Sequence, residues 1–157
     1  MLQVKEIMTR EVLTATPTME IAEAASLLMS KKINGLPVVD EAHRLVGILC
    51  RSDIIAQQKK LPLPSLFTFL DGFITFSSMK GIEKEARKIA ALTVADAMTH
   101  NPVSVGPDST IETVAALMVD RNFHTLPVVV DDAVVGVVGQ SDVLGTIASS
   151  SSSVSRE

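Results

Sequence analysis

An internal repeat with a spacing of about 90 residues is the feature that most limits how this chain of 157 residues can fold. A shift of 90 residues places Met8-Thr9 over Met98-Thr99 and Leu36–Val39 over Leu126–Val129. After one residue is lost in a turn the shift becomes 89, and a Ser-Asp pair also coincides. A unit too small to bury its own apolar face can bury it against a copy of itself. The sequence therefore predicts two similar domains that pair with pseudo-two-fold symmetry.

Both copies show the same predicted order of elements: an extended segment, a helix, two strands and a second helix. Apolar side chains recur at helical spacing in each copy, at Ile21, Ala25 and Leu28 and at Ile111, Ala115 and Met118. Thr18 precedes the first of these helices, and Ser109 with Glu112 fits a capping box before the other. The strands, Leu36–Val39 and Leu45–Leu49 in the first copy, are apolar throughout, which predicts burial on both faces. The predicted fold class is α+β, built from two tandem β-α-β-β-α units.

The repeat divides the chain into two domains, an insert and a tail. We expect domains at residues 1–56 and 93–148, an insert at 57–92 and a Ser-rich, mobile tail at 149–157. The insert is basic and holds four of the five phenylalanines, Phe67, Phe69, Phe73 and Phe76. Because large exposed apolar patches are rare, we expect the insert to pack against its own domains or across a homodimer. A docking surface for another protein is the alternative.

Composition disfavours several classes of function. Lys and Arg number 14 against 18 Asp and Glu, and the net charge of −4 disfavours binding to nucleic acid. The single cysteine, Cys50, cannot form a disulfide within the chain, which favours a reducing, cytoplasmic setting. Three scattered histidines predict no metal site, and no apolar run is long enough for a membrane span. The common catalytic motifs are also absent from the sequence, so we expect no enzyme activity.

The two copies carry the same motifs in the same order: Met-Thr, an amphipathic helix, Leu-Pro-Val-Val, and an apolar strand with Val-Gly that ends before Ser-Asp. Each copy closely resembles the CBS domain, and the tandem pair resembles a Bateman module. The resemblance implies regulatory binding of AMP, ADP, ATP or a related adenosyl ligand in clefts between the domains, with no other cofactor required. It also implies a homodimer and signalling to a regulated partner protein that the sequence does not identify.

Ligand-binding residues are predicted where each second strand passes into its helix. Asp53 and Asp142 match the family aspartate that accepts hydrogen bonds from both ribose hydroxyls. Ser52, Ser141 and Arg51 lie at the same helix starts, where free backbone N–H groups and the helix dipole favour a phosphate. The alternative interpretation is that each Ser-Asp pair only caps its helix.

An apolar slot for the adenine ring is predicted in each cleft, formed by an extended segment and the first strand of a copy. In the first copy the slot is formed by Leu13-Thr14-Ala15 with Leu36-Pro37, and in the second copy by Val103-Ser104-Val105 with Leu126-Pro127. Backbone groups of these segments would supply the hydrogen bonds that the ring needs. The two slots occupy equivalent positions of the repeat.

The two clefts are predicted to be unequal. His124 matches the position from which a histidine reaches a nucleotide phosphate in the gamma subunit of the AMP-activated kinase, whereas its counterpart is Asn34. An ordinary surface histidine is the alternative. Where the family pattern often has Thr or Ser, three residues before each aspartate, this chain has Cys50 and Gly139, so hydroxyl contacts are lost. We interpret Cys50 as a small buried residue rather than a reactive thiol. These departures favour an alternative function, a dimerisation or interaction scaffold that binds no ligand.

Overall fold

The computed structural model describes residues 2–58 and 92–154. The first repeat (residues 2–58) contains α1 Val4–Ile7, α2 Ile21–Ser30, β1 Gly35–Val39, β2 Leu45–Cys50 and α3 Arg51–Gln58. The second repeat (residues 92–154) contains α4 Val94–Ala97, β3 Thr99–His100, α5 Ile111–Asp120, β4 Thr125–Val130, β5 Ala133–Gly139 and α6 Gln140–Val154. The predicted packing of the insert phenylalanines concerns residues outside those described.

Each repeat builds its sheet around one antiparallel hairpin. Pro37 pairs with Ile48 across β1 and β2, and Pro127 pairs with Val137 across β4 and β5. The register shifts at the same place in both hairpins, after Val38 and after the equivalent residue of β4. Helices and strands therefore follow the predicted order twice, and the α+β fold class is confirmed.

The extended segment that opens each unit forms one bridge instead of a full strand. In the first repeat Ala15 lies parallel to β1: its N–H donates to the carbonyl of Pro37 at 2.9 Å, and its carbonyl accepts from Val39 N–H at 2.9 Å. The next N–H of a parallel ladder would come from residue 17, which is a proline with no N–H. Val105 makes the equivalent bridge, and a proline, Pro107, again follows two residues later.

The first helix of each repeat packs in the core of the other repeat. Val4 in α1 is fully buried against the second repeat, where its N–H donates to the carbonyl of Ser109 at 2.9 Å. Val94 in α4 is fully buried in the core of the first repeat, and its N–H donates to the carbonyl of Met19 at 2.8 Å. Each repeat thus completes the core of its copy, so the packing units differ from the sequence segments 1–56 and 93–148.

The repeated Met-Thr and Val-Gly motifs meet across the junction of the repeats. Strand β3 pairs antiparallel with β2, and Thr99 lies opposite Ile48. A Cβ on Gly47 would lie 2.5 Å from Met98 Sδ, and a Cβ on Gly136 would lie 2.6 Å from Met8 Sδ. A side chain at either glycine would displace the methionine or the backbone beside it. The Val-Gly motif of each repeat therefore packs against the Met-Thr motif of the other repeat.

Helix caps differ by one or two residues from the sequence prediction. Helix α2 has Glu20 rather than Thr18 at its N-cap. The predicted Ser109 cap of α5 is wrong, because the Ser109 hydroxyl accepts from Gly106 N–H at 3.0 Å in the preceding turn. Thr110 caps the helix instead, accepting from Thr113 N–H at 3.2 Å.

Helix α6 continues further than the sequence suggested. It runs to Val154, so residues 149–154, the first part of the predicted tail, are helical. No proline interrupts the segment, and the Ser149 hydroxyl donates to the carbonyl of Gly145 at 2.8 Å, a bond within the helix. Among the helices of the described residues, none is long and apolar enough to cross a bilayer.

Candidate functional site

Two clefts lie where the repeats meet, and each takes residues from both. The Asp142 cleft has a volume of about 420 Å³ and is lined by residues that include Thr9, Glu11, Leu13, Lys32, Asn34, Pro37, Ser141, Asp142 and Leu144. The Asp53 cleft has a volume of about 250 Å³ and is lined by residues that include Cys50, Ser52, Asp53, Thr99, Asn101, Val103, Arg121, His124 and Leu126. The two linings are built from largely equivalent positions of the repeat.

The two aspartates cap the helices that open at the clefts. Asp53 Oδ2 accepts from Cys50 N–H at 2.7 Å, and Asp142 Oδ2 accepts from Gly139 N–H at 2.8 Å. Each bond joins the third residue of a helix to the residue before the helix, which is one half of a capping box. Thr99 from the opposite repeat also donates to Asp53 Oδ1, at 3.5 Å. The capping interpretation therefore describes one oxygen of each carboxylate, and the second oxygen of Asp53 accepts from Thr99 instead.

The helix starts are tied to the residues that precede the first strand of each hairpin. Arg51 N–H donates to the carbonyl of Asn34, and Gln140 N–H donates to the carbonyl of His124, both at 3.1 Å. One N–H of each first turn is thus already satisfied by the protein. The side chains of Asn34 and His124 line opposite clefts, Asn34 with Asp142 and His124 with Asp53.

The structure brings six of the ten predicted site residues into the clefts. The Asp53 cleft receives Asp53, Ser52 and His124, and the Asp142 cleft receives Asp142, Ser141 and Pro37.

Arg51 lies outside both clefts. Its Nε donates to the carbonyl of Ile33 at 2.9 Å, and its Nη2 donates to the carbonyl of Leu28 at 3.3 Å. These carbonyls lie at and just beyond the C-terminal end of α2, where a guanidinium also interacts favourably with the helix dipole. The guanidinium is therefore used within its own repeat and is not placed to bind a phosphate.

Part of each predicted adenine slot lines a cleft. In the extended segments, Leu13 and Val103 line the clefts and Thr14 and Ser104 do not, because successive side chains of an extended segment point to opposite sides. In the second copy Leu126 lines the Asp53 cleft, whereas its neighbour Pro127 is buried in β4 and does not. The lining of each slot is apolar, as the adenine hypothesis requires.

Charged and polar residues in the connecting loops were missed by the sequence reasoning. Glu11 and Lys32 line the Asp142 cleft, and Asn101 and Arg121 line the Asp53 cleft. Lys32 has a φ of 53°, a left-handed backbone conformation at the residue that follows the helix cap. The predicted ends of α2 and α5 could have indicated Lys32 and Arg121. Residues just beyond these helix ends lie beside the strand that borders the cleft.

The two positions that lack the family hydroxyl differ in character. Burial and, secondly, the charge of Asp53 raise the pKa of the Cys50 thiol from 9.0 to about 11, so the thiol is neutral and unreactive near pH 7. Gly139 has free space beside it, because an added Cβ would lie 3.7 Å from Ser141 Oγ and 3.8 Å from Asp142 Oδ2. Within residues 2–58 and 92–154, no group of three His, Cys, Asp or Glu side chains is placed to hold a metal ion.

Comparison with known sequences finds one family model twice in this chain. The sequence model of the CBS domain matches twice, over residues 4–60 and 94–149. The chloroplastic CBS domain-containing proteins CBSX2 and CBSX1 of Arabidopsis thaliana are each 29% identical over 133 residues, or 82% of this chain. The chain spans about half the length of these curated relatives, 55% of CBSX2 and 56% of CBSX1.

Solved structures resemble nearly the whole chain. The crystal structure of CBSX2 in complex with AMP has a TM-score of 0.72 and 25% identity, and the match covers 95% of this chain and 98% of that one. The CBS domain pair of protein MJ0100, in complex with 5′-methylthioadenosine and S-adenosyl-L-methionine, has a TM-score of 0.69, 27% identity and coverage of 95% and 98%. Both similarities extend over the two repeats together.

Proposed function

Since this chain belongs to the CBS domain family and holds two such domains in tandem, we propose that it binds AMP, ADP, ATP or a related adenosyl ligand in the clefts between its repeats. One observation carries the proposal: each cleft combines a helix start and aspartate from one repeat with an apolar segment from the other. The CBSX2 structure with AMP and the MJ0100 structure with adenosyl compounds support this ligand class.

Each aspartate has an oxygen to offer a ribose hydroxyl. The Oδ2 atoms of Asp53 and Asp142 accept from the helix caps, which fixes the orientation of both carboxylates. Within residues 2–58 and 92–154, the hydrogen bond found at Asp53 Oδ1 is a long one from Thr99, which a ribose hydroxyl could replace. The backbone of Ser52 and Ser141 lies in the first helical turn, where N–H groups favour a phosphate or another polar ligand atom.

The proposed role is regulatory rather than catalytic. A ligand that contacts both repeats can change the position of one repeat relative to the other, provided that it binds one arrangement more tightly. The two repeats are joined by β3 on β2 and by the exchanged helices α1 and α4, so such a change would reach the surface of both. We propose that a partner protein in the cytoplasm reads this change.

We also propose that the chain forms a homodimer. The alternative function, a dimerisation scaffold that binds no ligand, depends on this homodimer. Met29 and Val119 occupy equivalent positions on α2 and α5 and are 74% and 80% exposed. Ile55 and Leu144 occupy equivalent positions on α3 and α6 and are 60% and 64% exposed. Within each repeat these two helices pack against each other, so each repeat presents apolar side chains from a helix pair. Sedimentation of the chain and of a Met29→Ser, Val119→Ser variant tests whether these side chains hold two copies together.

Ultraviolet absorbance offers a simple test of ligand binding. The chain has no Trp or Tyr, so it absorbs little at 280 nm and a bound adenine would dominate the spectrum near 260 nm. A purified sample with a strong 260 nm band that is released on denaturation supports the proposal. A sample without the band, and without a binding signal for AMP, ATP, 5′-methylthioadenosine or S-adenosylmethionine at millimolar concentration, favours the scaffold.

A further inference from the structure

The two clefts differ most in the charges that line them. The Asp142 cleft is lined by two acidic residues, Glu11 and Asp142, and one basic residue, Lys32. The Asp53 cleft is lined by one acidic residue, Asp53, and one basic residue, Arg121. The equivalent of Glu11 is a neutral residue, Asn101. The formal charge of the described lining is therefore negative in the Asp142 cleft and neutral in the Asp53 cleft.

Hydrogen-bond donors increase this difference. His124 lines the Asp53 cleft, and its imidazole N–H can donate to a phosphate oxygen, as can the fork of N–H groups on Arg121. At the position equivalent to His124 the Asp142 cleft has the uncharged amide of Asn34. The Asp53 cleft thus offers charge-assisted donors to an anion, whereas the Asp142 cleft places the carboxylate of Glu11 in the lining.

An exposed leucine distinguishes the Asp142 cleft further. Leu144 is 64% exposed and lines this cleft together with Leu13, which is 39% exposed. Ile55, the equivalent of Leu144, does not line the Asp53 cleft. An aliphatic or thioether substituent could cover these two leucines, whereas a phosphate would place its charge beside them and beside Glu11.

From this contrast we infer that the two clefts select different adenosyl ligands. The Asp53 cleft takes a 5′-phosphorylated adenosine, and the Asp142 cleft takes an adenosyl compound without phosphate whose 5′ substituent is apolar or cationic. The inference rests on the proposed function and adds a division of ligand classes between its two sites. A chain of this kind would respond to both ligand classes.

The test uses calorimetric titration of the full chain with one cleft disabled at a time. Asp53→Asn leaves the Asp142 cleft intact, and Asp142→Asn leaves the Asp53 cleft intact. Asparagine keeps an oxygen for the helix cap, so both variants retain the bond to the preceding N–H. We expect 5′-methylthioadenosine to bind the Asp142 cleft at least tenfold more tightly than AMP does. We expect the order of affinities to be reversed in the Asp53 cleft.

Changing the charge at Glu11 and at its equivalent, Asn101, tests whether charge causes the difference in ligand preference. Glu11→Gln, in the Asp53→Asn background, should raise the affinity for AMP by about threefold to tenfold, by more than any change for 5′-methylthioadenosine. Asn101→Asp, in the Asp142→Asn background, should lower the affinity for AMP by a similar factor. Aspartate suits this position, because Asn101 has a φ of 51° and Asp tolerates left-handed backbone.

The outcomes separate this inference from the proposed function. The same order of affinities in both clefts overturns the inference and leaves nucleotide binding standing. An equal effect of Glu11→Gln on AMP and on 5′-methylthioadenosine overturns the inference as well, since charge would not then be the cause. If the unaltered chain binds neither these two compounds nor ATP or S-adenosylmethionine, the proposed function itself fails.

Discussion

Adding one methyl group at Gly47 tests how closely β2 of the first repeat packs against Met98 and β3 of the second repeat. In Gly47→Ala the new Cβ would lie 2.5 Å from Met98 Sδ and 3.0 Å from the carbonyl oxygen of Thr99. Nonbonded carbon atoms prefer separations of about 3.5–4.0 Å. Strands β2 and β3 must therefore move apart, or the side chain of Met98 must leave its place. Overpacking of this kind costs about 1–3 kcal/mol, and we expect the free energy of unfolding to fall by that amount.

A double-mutant cycle identifies the methionine as the cause. Met98→Ala removes the nearer of the two contacts, so Gly47→Ala should cost less in the Met98→Ala background than in the unaltered chain. Contacting residues of this kind couple by about 0.5–3 kcal/mol. The carbonyl oxygen of Thr99 remains in place, and some of the cost should persist. Urea unfolding, with the midpoint and slope of each transition compared, provides the assay.

Two other glycines provide controls within the same chain. An added Cβ at Gly139 would have only contacts of 3.7 Å or more, so Gly139→Ala should change stability by less than about 0.5 kcal/mol. Gly145 lies within α6 with no atom within 4 Å of an added Cβ, and Gly145→Ala should stabilise by about 1 kcal/mol. The reasoning is refuted if Gly47→Ala costs no more than Gly139→Ala, or if the cycle shows no coupling.

Three further predictions concern the exchanged helices, the missing hydroxyl and the partly buried thiol of Cys50. Val4→Ala and its equivalent Val94→Ala should each cost about 1.5–3 kcal/mol in urea unfolding, because both side chains are fully buried in the opposite repeat; losses below 0.5 kcal/mol would contradict the exchange. Gly139→Thr places a hydroxyl in free space beside Asp142 and should strengthen ligand binding to that cleft about fivefold, measured by calorimetry; unchanged or weaker binding would contradict it. Since folding raises the pKa of Cys50 from 9.0 to about 11, its contribution to stability is complete below pH 9 and is lost as pH rises toward 11. The free energy of unfolding should therefore fall more steeply over that range than in Cys50→Ser, and equal slopes would argue against the burial.

Much of the fold could be predicted because both copies repeat the same local signals. The apolar runs around Pro37 and Ile48 predicted paired strands, and the structure pairs those two residues directly. The exchange of α1 and α4 could not be predicted in the same way. Val4 and Val94 lie at equivalent positions near the start of two similar repeats. The apolar pattern is the same whether each valine packs in its own repeat or in the other one, so the pattern does not predict the exchange.

The candidate site was predictable where it lies in regular structure and less so in loops. Asp53 and Asp142 follow apolar strands, and the sequence placed both at helix starts. The selection of Leu13 over Thr14 depends on which side of an extended segment faces the cleft, which a repeat alone does not determine. Glu11 was missed for a related reason, because only the folded chain brings that exposed loop residue beside the helix of the opposite repeat.

Calorimetric titration of the unaltered chain and of the Asp53→Asn, Asp142→Asn double variant, with AMP and with 5′-methylthioadenosine, tests the central claim most directly. The account predicts that at least one of the two compounds binds the unaltered chain. It also predicts that binding weakens in the double variant by about 10- to 150-fold, equivalent to the loss of about 1.5–3 kcal/mol for a hydrogen bond to a charged group. The melting temperature should change little, because asparagine can still cap both helices. Equal affinity in the two proteins, or no binding by either, would contradict the claim that these clefts are adenosyl sites.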